Sequence, residues 1–158
     1  FLILSFYSAY LLRNFDNDEK GILFLFVIII CISTDIGGYA IGKFFKGPKL
    51  TKISPNKTYS GMIGGYLLSF ISIGFFIKYS KILFNEELLF SSVTFIFIIL
   101  ISSISQLGDI LVSYFKRLSK IKNTGKIIPG HGGLLDRIDG MIFALPFSYI
   151  IIVLGIFK

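Results

Sequence analysis

Long apolar runs are the feature that most constrains this chain. They recur at roughly 21–42, 61–77, 88–112 and 140–157, and a further run ends near Leu12. About 20 consecutive apolar residues cross a bilayer as a helix, and such runs lack the alternation of half-buried strands and the 3.6-residue stripe of surface helices. The pattern predicts an all-α, polytopic membrane helix bundle with about four complete spans and a truncated N-terminal one.

Composition agrees with a membrane location. Hydrophobic residues make up 54% of the 158 residues, and a soluble domain of this size would need more polar surface. The chain begins with Phe1 inside an apolar run, so we expect a single domain over 1–158 from which at least one N-terminal segment is missing. The one cysteine, Cys31, lies within an apolar run and is expected to be a small buried residue.

The positions of the charges predict the orientation. Segments 43–60 and 113–139 hold 11 of the 16 basic residues, and an even number of predicted spans separates them. Basic residues concentrate in cytoplasmic loops, so both segments should face the cytoplasm. The net charge of +7 therefore reflects topology, and we expect a lipid bilayer rather than nucleic acid as the partner.

Four aspartates lie at or inside the predicted spans. Asp35 and Asp109 interrupt apolar sequence, and Asp136 and Asp139 stand where the second basic segment re-enters the membrane. A carboxylate within a membrane is costly and marks a candidate functional site. Residues three apart share one helix face, and carboxylate oxygens are the ligands that Mg²⁺ prefers. Asp35 could be part of the substrate-binding site or instead a structural partner for a lysine.

Residue types suited to phosphate surround these aspartates. In the second basic segment, Lys116, Arg117 and Arg137 match phosphate charge, and a glycine-rich stretch over 129–133 lets backbone N–H groups approach a ligand. In the first segment, hydroxyl, lysine and glycine residues precede a predicted span, where a helix N-terminus can bind an anion. Those residues are Ser54, Lys57, Thr58 and Gly61.

The same elements resemble the signature of the phosphatidate cytidylyltransferases, or CDP-diacylglycerol synthases. The resemblance covers about 35–140, and its elements are Ser113-x-x-Lys116-Arg117, Pro129-Gly130-His131-Gly132-Gly133, Leu135-Asp136-Arg137-Ile138-Asp139, Ser54-Pro55-x-Lys57-Thr58 and Asp35-x-Gly37-Gly38-Tyr39. Two positions differ from the family pattern. Asn123 stands where an aspartate is common, and Tyr59-Ser60-Gly61 replaces Trp-Glu-Gly.

The resemblance implies that a cytidylyl group passes from CTP to phosphatidic acid in phospholipid biosynthesis. It implies Mg²⁺ as cofactor, with a second, monovalent cation such as K⁺, a location in the bacterial inner membrane, and a homodimer. The hypothesis gives Asp109, Asp136 and Asp139 to the metal, with Asn123 as a weaker ligand. Phosphates would be bound by a larger set: Lys116, Arg117, Arg137, Ser54, Lys57, Thr58, Lys122, His131, Gly132 and Gly133.

Three other functions stay open from the sequence. A related enzyme could transfer the cytidylyl group to an isoprenoid-type lipid phosphate, because either lipid tail would lie against Phe, Ile and Leu. A membrane transporter would also place carboxylates inside the bilayer, although we find no inverted repeat that would favour one. An inactive relative is the third alternative. His131 could be a turn residue, a phosphate donor or a proton-transfer group.

Overall fold

The computed structural model describes residues 1–15, 21–51, 54, 57–85, 88–121, 124–125, 133 and 135–155, with only the backbone of residue 137. Within these ranges the fold is all-helical, as predicted, and the one β-bridge pairs Lys49 with Thr58. The helices are α1 (Leu2–Arg13), α2 (Ile22–Phe45), α3 (Tyr59–Phe84), α4 (Ser92–Leu118), the short α5 (Leu135–Ile138) and α6 (Met141–Val153).

Three of the helices are long and apolar enough to cross a membrane. The most apolar windows of α2, α3 and α4 have mean hydropathies of 2.2, 1.7 and 2.1. With 24 to 27 residues, each spans at least about 36 Å. The last predicted span is helical over the 13 residues of α6, which reach about 20 Å and cover less than the hydrocarbon core.

The long helices extend beyond their apolar runs on the side where the basic segments lie. α2 continues through Lys43, and α4 continues through Lys116 and Arg117 in its last turn. Lysine and arginine stems can cover apolar surface while their charges stay near water, and cations near a helix C-terminus interact favourably with its dipole. Parts of both predicted loops, 43–45 and 113–118, are therefore helical.

Helices α2 and α3 pack at very short range through glycines. A Cβ on Gly37 would overlap the Gly64 carbonyl oxygen and would lie 2.9 Å from its carbonyl carbon and 2.8 Å from Leu68 Cβ. A Cβ on Gly61 would lie 2.7 Å from the Gly38 carbonyl oxygen. Small residues let membrane helices approach this closely. This contact places the end of α2 directly against the start of α3.

A buried hydroxyl cluster joins α2, α3 and α4 beneath the site. Thr34 Oγ1 lies 2.8 Å from both Ser69 Oγ and Ser102 Oγ, and all three residues are buried. Each hydroxyl in such a cluster has a partner, so the polar groups do not remain unsatisfied in an apolar interior. The surrounding core is apolar and includes Cys31, which is free and buried as expected.

Candidate active site

A polar cavity of about 310 Å³ opens at the end of the bundle where both basic segments lie. α2, the segment before α3, α4 and the region of α5 all contribute to it. Its lining consists of Thr34, Asp35, Gly38, Tyr39, Ser54, Lys57, Thr58, Gly61, Met62, Gln106, Asp109, Ser113, Asp136 and Asp139. All four aspartates singled out from the sequence therefore line one cavity.

Asp109 is the most deeply placed carboxylate of the site. Its side chain is 10% exposed, and the ammonium of Lys57 forms an ion pair with its Oδ2. Its Oδ1 is buried and has no hydrogen-bond donor within the described part of the chain. A buried carboxylate oxygen without a donor is costly, so Asp109 has an unmet need for a cation or a proton donor.

Asp139 is the carboxyl group next to Asp109. Burial raises the pKa of the Asp139 carboxyl, and the negative charge of Asp109 raises this pKa further. A cation between the two groups would oppose both effects and favour the ionised form. Glycine at position 140 is required here, because a Cβ there would lie 2.8 Å from Asp109 Oδ1.

Asp136 is held by two backbone N–H groups of the second basic segment. Its Oδ2 accepts hydrogen bonds from the N–H groups of Gly133 at 2.9 Å and Thr124 at 3.0 Å, and its Oδ1 accepts one from Lys116 Nζ at 3.0 Å. Desolvation favours the protonated acid, but these donors favour the carboxylate more strongly and lower the pKa of Asp136 to about 2. Asp136 thus binds the backbone at Thr124 and Gly133 as an ionised group.

Lys116 connects Asp136, in α5, with Asp139, which lies between α5 and α6. Its Nζ lies 3.0 Å from Asp136 Oδ1 and 3.5 Å from Asp139 Oδ2, and its side chain is only 13% exposed. Asp136 and Asp139 were predicted to share one helix face, but α5 ends at Ile138, before Asp139; what the two carboxylates share is their contact with one ammonium group. The N–H of Gly133, a predicted phosphate donor, is directed to Asp136 here.

The segment before α3 is shaped by hydroxyl groups. Thr58 is the N-cap of α3, and its Oγ1 accepts a hydrogen bond from the Gly61 N–H at 3.1 Å. Ser60, which replaces the acidic residue common in the family pattern, lies 3.0 Å from Thr58 Oγ1 and accepts a weak bond from the Gly47 N–H at 3.3 Å. Ser54 lines the cavity, and its carbonyl accepts a bond from the Lys57 N–H.

One predicted residue lies away from the cavity, and several others fall outside the described residues. Arg117 is exposed on α4 and is absent from the lining. Lys122, Asn123, His131 and Gly132 lie outside the described residues, as does the side chain of Arg137. Sequence reasoning missed Gln106, which lines the cavity one turn before Asp109 on the same helix. An amide within an apolar run, three residues from an aspartate, was the available signal.

The cavity's residues fit a divalent cation with few protein ligands. Within the described ranges, no three His, Cys, Asp or Glu side chains surround one point. Mg²⁺ does not need such a cage, because it usually keeps waters and uses one or two carboxylates plus substrate phosphates. The adjacent carboxyl groups of Asp109 and Asp139, with the donor-free Oδ1 of Asp109, satisfy that requirement.

An apolar groove of about 540 Å³ lies beside the carboxylates. Leu111, Phe115, Ile142 and Phe143 are among its lining residues, and Lys116 also lines it. The ammonium of Lys116 is thus close to both the groove and the aspartates. This arrangement suits a molecule with an anionic head and an apolar tail.

Fold and site together define a helical membrane protein whose cavity, built from carboxylates and lysines, is suited to phosphate and cation chemistry. The chain belongs to the Cytidylyltransferase family, whose family model matches residues 1–155. The resemblance noted in the sequence is confirmed by this match.

Curated relatives support the same assignment. The chain is 36% identical over 149 residues to a phosphatidate cytidylyltransferase of Bacillus subtilis (strain 168), covering 90% of this chain and 51% of that protein. It is 40% identical over 151 residues to a phosphatidate cytidylyltransferase of Rickettsia felis, covering 90% of this chain and 65% of the relative. With a phosphatidate cytidylyltransferase of Haemophilus influenzae the identity is 39% over 141 residues, covering 86% and 48%. The chain thus spans about half to two thirds of the length of these relatives.

Proposed function

We propose that the protein transfers a cytidylyl group from CTP to phosphatidic acid, forming CDP-diacylglycerol and pyrophosphate in phospholipid biosynthesis. One observation carries the proposal: Lys57 from the first basic segment and Lys116 from the second meet three aspartates at one end of the bundle. The names of the curated relatives supply the donor and acceptor.

The proposed reaction depends on neutralising the negative charge of the phosphates more than on proton transfer. An oxygen of the phosphatidic acid phosphate attacks the α-phosphorus of CTP, the bond from that phosphorus to the β-phosphate oxygen breaks, and pyrophosphate leaves. The attacking phosphate is already ionised at neutral pH, so no general base is required. The ammonium groups of Lys57 and Lys116 would position the phosphates and neutralise the charge on the leaving group.

Mg²⁺ is part of the proposal. Asp109 and Asp139 would hold it, with Asp136 beside them, and the ion would supply charge neutralisation on the triphosphate. A second, monovalent cation such as K⁺ is also part of the proposal, because the triphosphate would bring further negative charge to a cavity lined by four aspartates. A nucleotide triphosphate would meet repulsion from the carboxylates unless cations accompanied it.

The lipid acceptor is supported by the groove beside Lys116. Its apolar lining would receive an acyl chain while the phosphate lies near the ammonium group. The proposal places this end of the bundle at the cytoplasmic face of a bacterial inner membrane, because the basic segments meet there and CTP arrives from water. Four complete spans and a homodimer, both expected from the sequence, remain parts of the proposal.

The test is a reconstituted transfer reaction. Membranes that contain the whole protein are supplied with labelled CTP, Mg²⁺ and phosphatidic acid, and labelled lipid is measured. We expect CDP-diacylglycerol from the wild type and a loss of at least about a hundredfold with Asp109→Asn. Polyprenyl phosphate in place of phosphatidic acid tests the other acceptor. No labelled lipid from either acceptor would refute the proposed function.

A further inference from the structure

The two lysines of the site differ in how firmly they are held. Lys116 contacts two aspartates, and its side chain is 13% exposed. The described ion pair of Lys57 is with Asp109 alone, although Asp35 also lies within range of its charge, and its side chain is 31% exposed. A lysine on a flexible stem with one partner and access to solvent can move to a new partner at lower cost than an enclosed one.

Lys57 and a divalent cation would compete for the same carboxylate. The ammonium is bound to Oδ2 of Asp109, whereas the buried Oδ1 has no donor among the described residues. A cation on Asp109 would satisfy Oδ1 but would lie close to the positive charge of Lys57. Like charges in a partly desolvated site repel strongly. The Lys57 ammonium and the cation therefore weaken each other's binding to Asp109.

We propose that Lys57 is an exchangeable counter-ion for Asp109. In the nucleotide-free protein it neutralises the carboxylate and keeps the affinity for a divalent cation low. When cation and nucleotide bind together, Lys57 moves from the carboxylate to a phosphate group. Lys116 keeps its contact with Asp136, which does not hold the cation in the proposed site. This inference rests on the proposed function, because a nucleotide triphosphate supplies the new partner of Lys57.

The test measures cation binding rather than turnover. Mn²⁺ binding to the detergent-purified whole protein, without nucleotide, is followed by electron paramagnetic resonance. Lys57→Met removes the charge with similar side-chain length, Lys57→Arg keeps the charge, and Lys78→Met removes an exposed lysine from the far end of α3. We expect Lys57→Met to bind Mn²⁺ about tenfold more tightly, a difference of about 1.4 kcal/mol, with the other two near wild type.

Nucleotide binding should change in the opposite direction. At saturating Mn²⁺, we expect Lys57→Met to bind CTP about tenfold more weakly than wild type, because the phosphate has lost its ammonium partner. Lys116→Met should not tighten Mn²⁺ binding. This pair of opposite changes separates an exchangeable counter-ion from a structural ion pair, whose loss would weaken both.

Thermal unfolding confirms that each variant is folded before binding is compared. Unchanged or weaker Mn²⁺ binding by folded Lys57→Met would overturn the proposal, and so would equally tight binding by Lys57→Arg, since charge would then not be the cause. Asp109→Asn should abolish the effect of Lys57→Met in the double variant. Failure of the wild type to form CDP-lipid would contradict the proposed function. The Mn²⁺ comparison does not depend on turnover and would still test the role of Lys57.

Discussion

The glycine contact between α2 and α3 gives the most direct test of how the fold positions the site. Gly37 lies in this contact but does not line the cavity. Replacing it with alanine adds one methyl group, which would lie 2.8 Å from Leu68 Cβ and 2.9 Å from the Gly64 carbonyl carbon and would overlap the Gly64 oxygen. Ordinary contact begins at 3.4 Å, so the helices must separate by at least about 0.5 Å.

Two consequences follow from this separation. Overpacking a close contact costs about 1–3 kcal/mol, so the thermal midpoint should fall. Because Lys57 directly precedes α3, the shift also moves it relative to Asp109 on α4. A displacement of 1 Å in a catalytic arrangement can lower the rate about a hundredfold. A displacement of about 0.5 Å should therefore lower kcat/KM about tenfold.

Gly74→Ala is the matched control. Gly74 lies on α3, and a Cβ there would meet no atom of the described residues within 4 Å. Alanine should therefore leave activity unchanged and raise helix stability by up to about 1 kcal/mol. Both variants are compared by thermal unfolding in detergent and by CDP-lipid synthesis per folded protein. A Gly37→Ala protein that matches Gly74→Ala in both measurements would show that the glycine contact does not position the site.

Further predictions concern the polar groups around the cavity. Thr58→Ala removes the N-cap of α3 and should lower stability by about 1 kcal/mol in denaturant unfolding, whereas Thr58→Ser should not. Thr34→Val removes the hydroxyl that Ser69 and Ser102 share, while Ser69 keeps its bond to the Gly65 carbonyl, so we expect a loss of about 0.5–1.5 kcal/mol; an unchanged midpoint would argue against the hydroxyl cluster. Asp136 has a lowered pKa of about 2, so its stabilisation is present above about pH 4 and is lost as the pH falls through 2. Acid unfolding should therefore be less steep over this range in Asp136→Asn, and a slope equal to that of wild type would contradict the assignment. The same variant should lower CDP-lipid turnover by about a hundredfold or more while still inserting into membranes.

Much of the site could be predicted because its residue types are unusual in their surroundings. Asp35 and Asp109 were found because carboxylates are costly inside apolar runs. Lys57 and Lys116 were found because they belong to specific motif elements. Gln106 was missed, since an uncharged amide interrupts an apolar run less sharply than an aspartate does.

The helix ends were less predictable than the helices. Hydropathy places a helix where residues favour lipid, but α2 and α4 continue into basic sequence because their last turns carry lysine and arginine. The last span was predicted over 140–157, whereas the described helix covers Met141–Val153. Composition measures the preference for lipid and does not set where backbone hydrogen bonding stops.

By itself, the sequence determined that this chain is a helical membrane protein, that its basic segments belong to one side, and which aspartates and lysines are candidates for its site. These properties depend on the solvent preference of each residue, which is local. Only the tertiary structure decided the pairing of Lys57 with Asp109, the bridging of Asp136 and Asp139 by Lys116, and the anchoring of Asp136 by Gly133. Lys57 and Asp109 are 52 residues apart in sequence, Lys116 and Asp136 are 20 apart, and Gly133 and Asp136 are three apart. The two distant pairs meet because glycines let α2 and α3 approach each other and because α4 packs against α6.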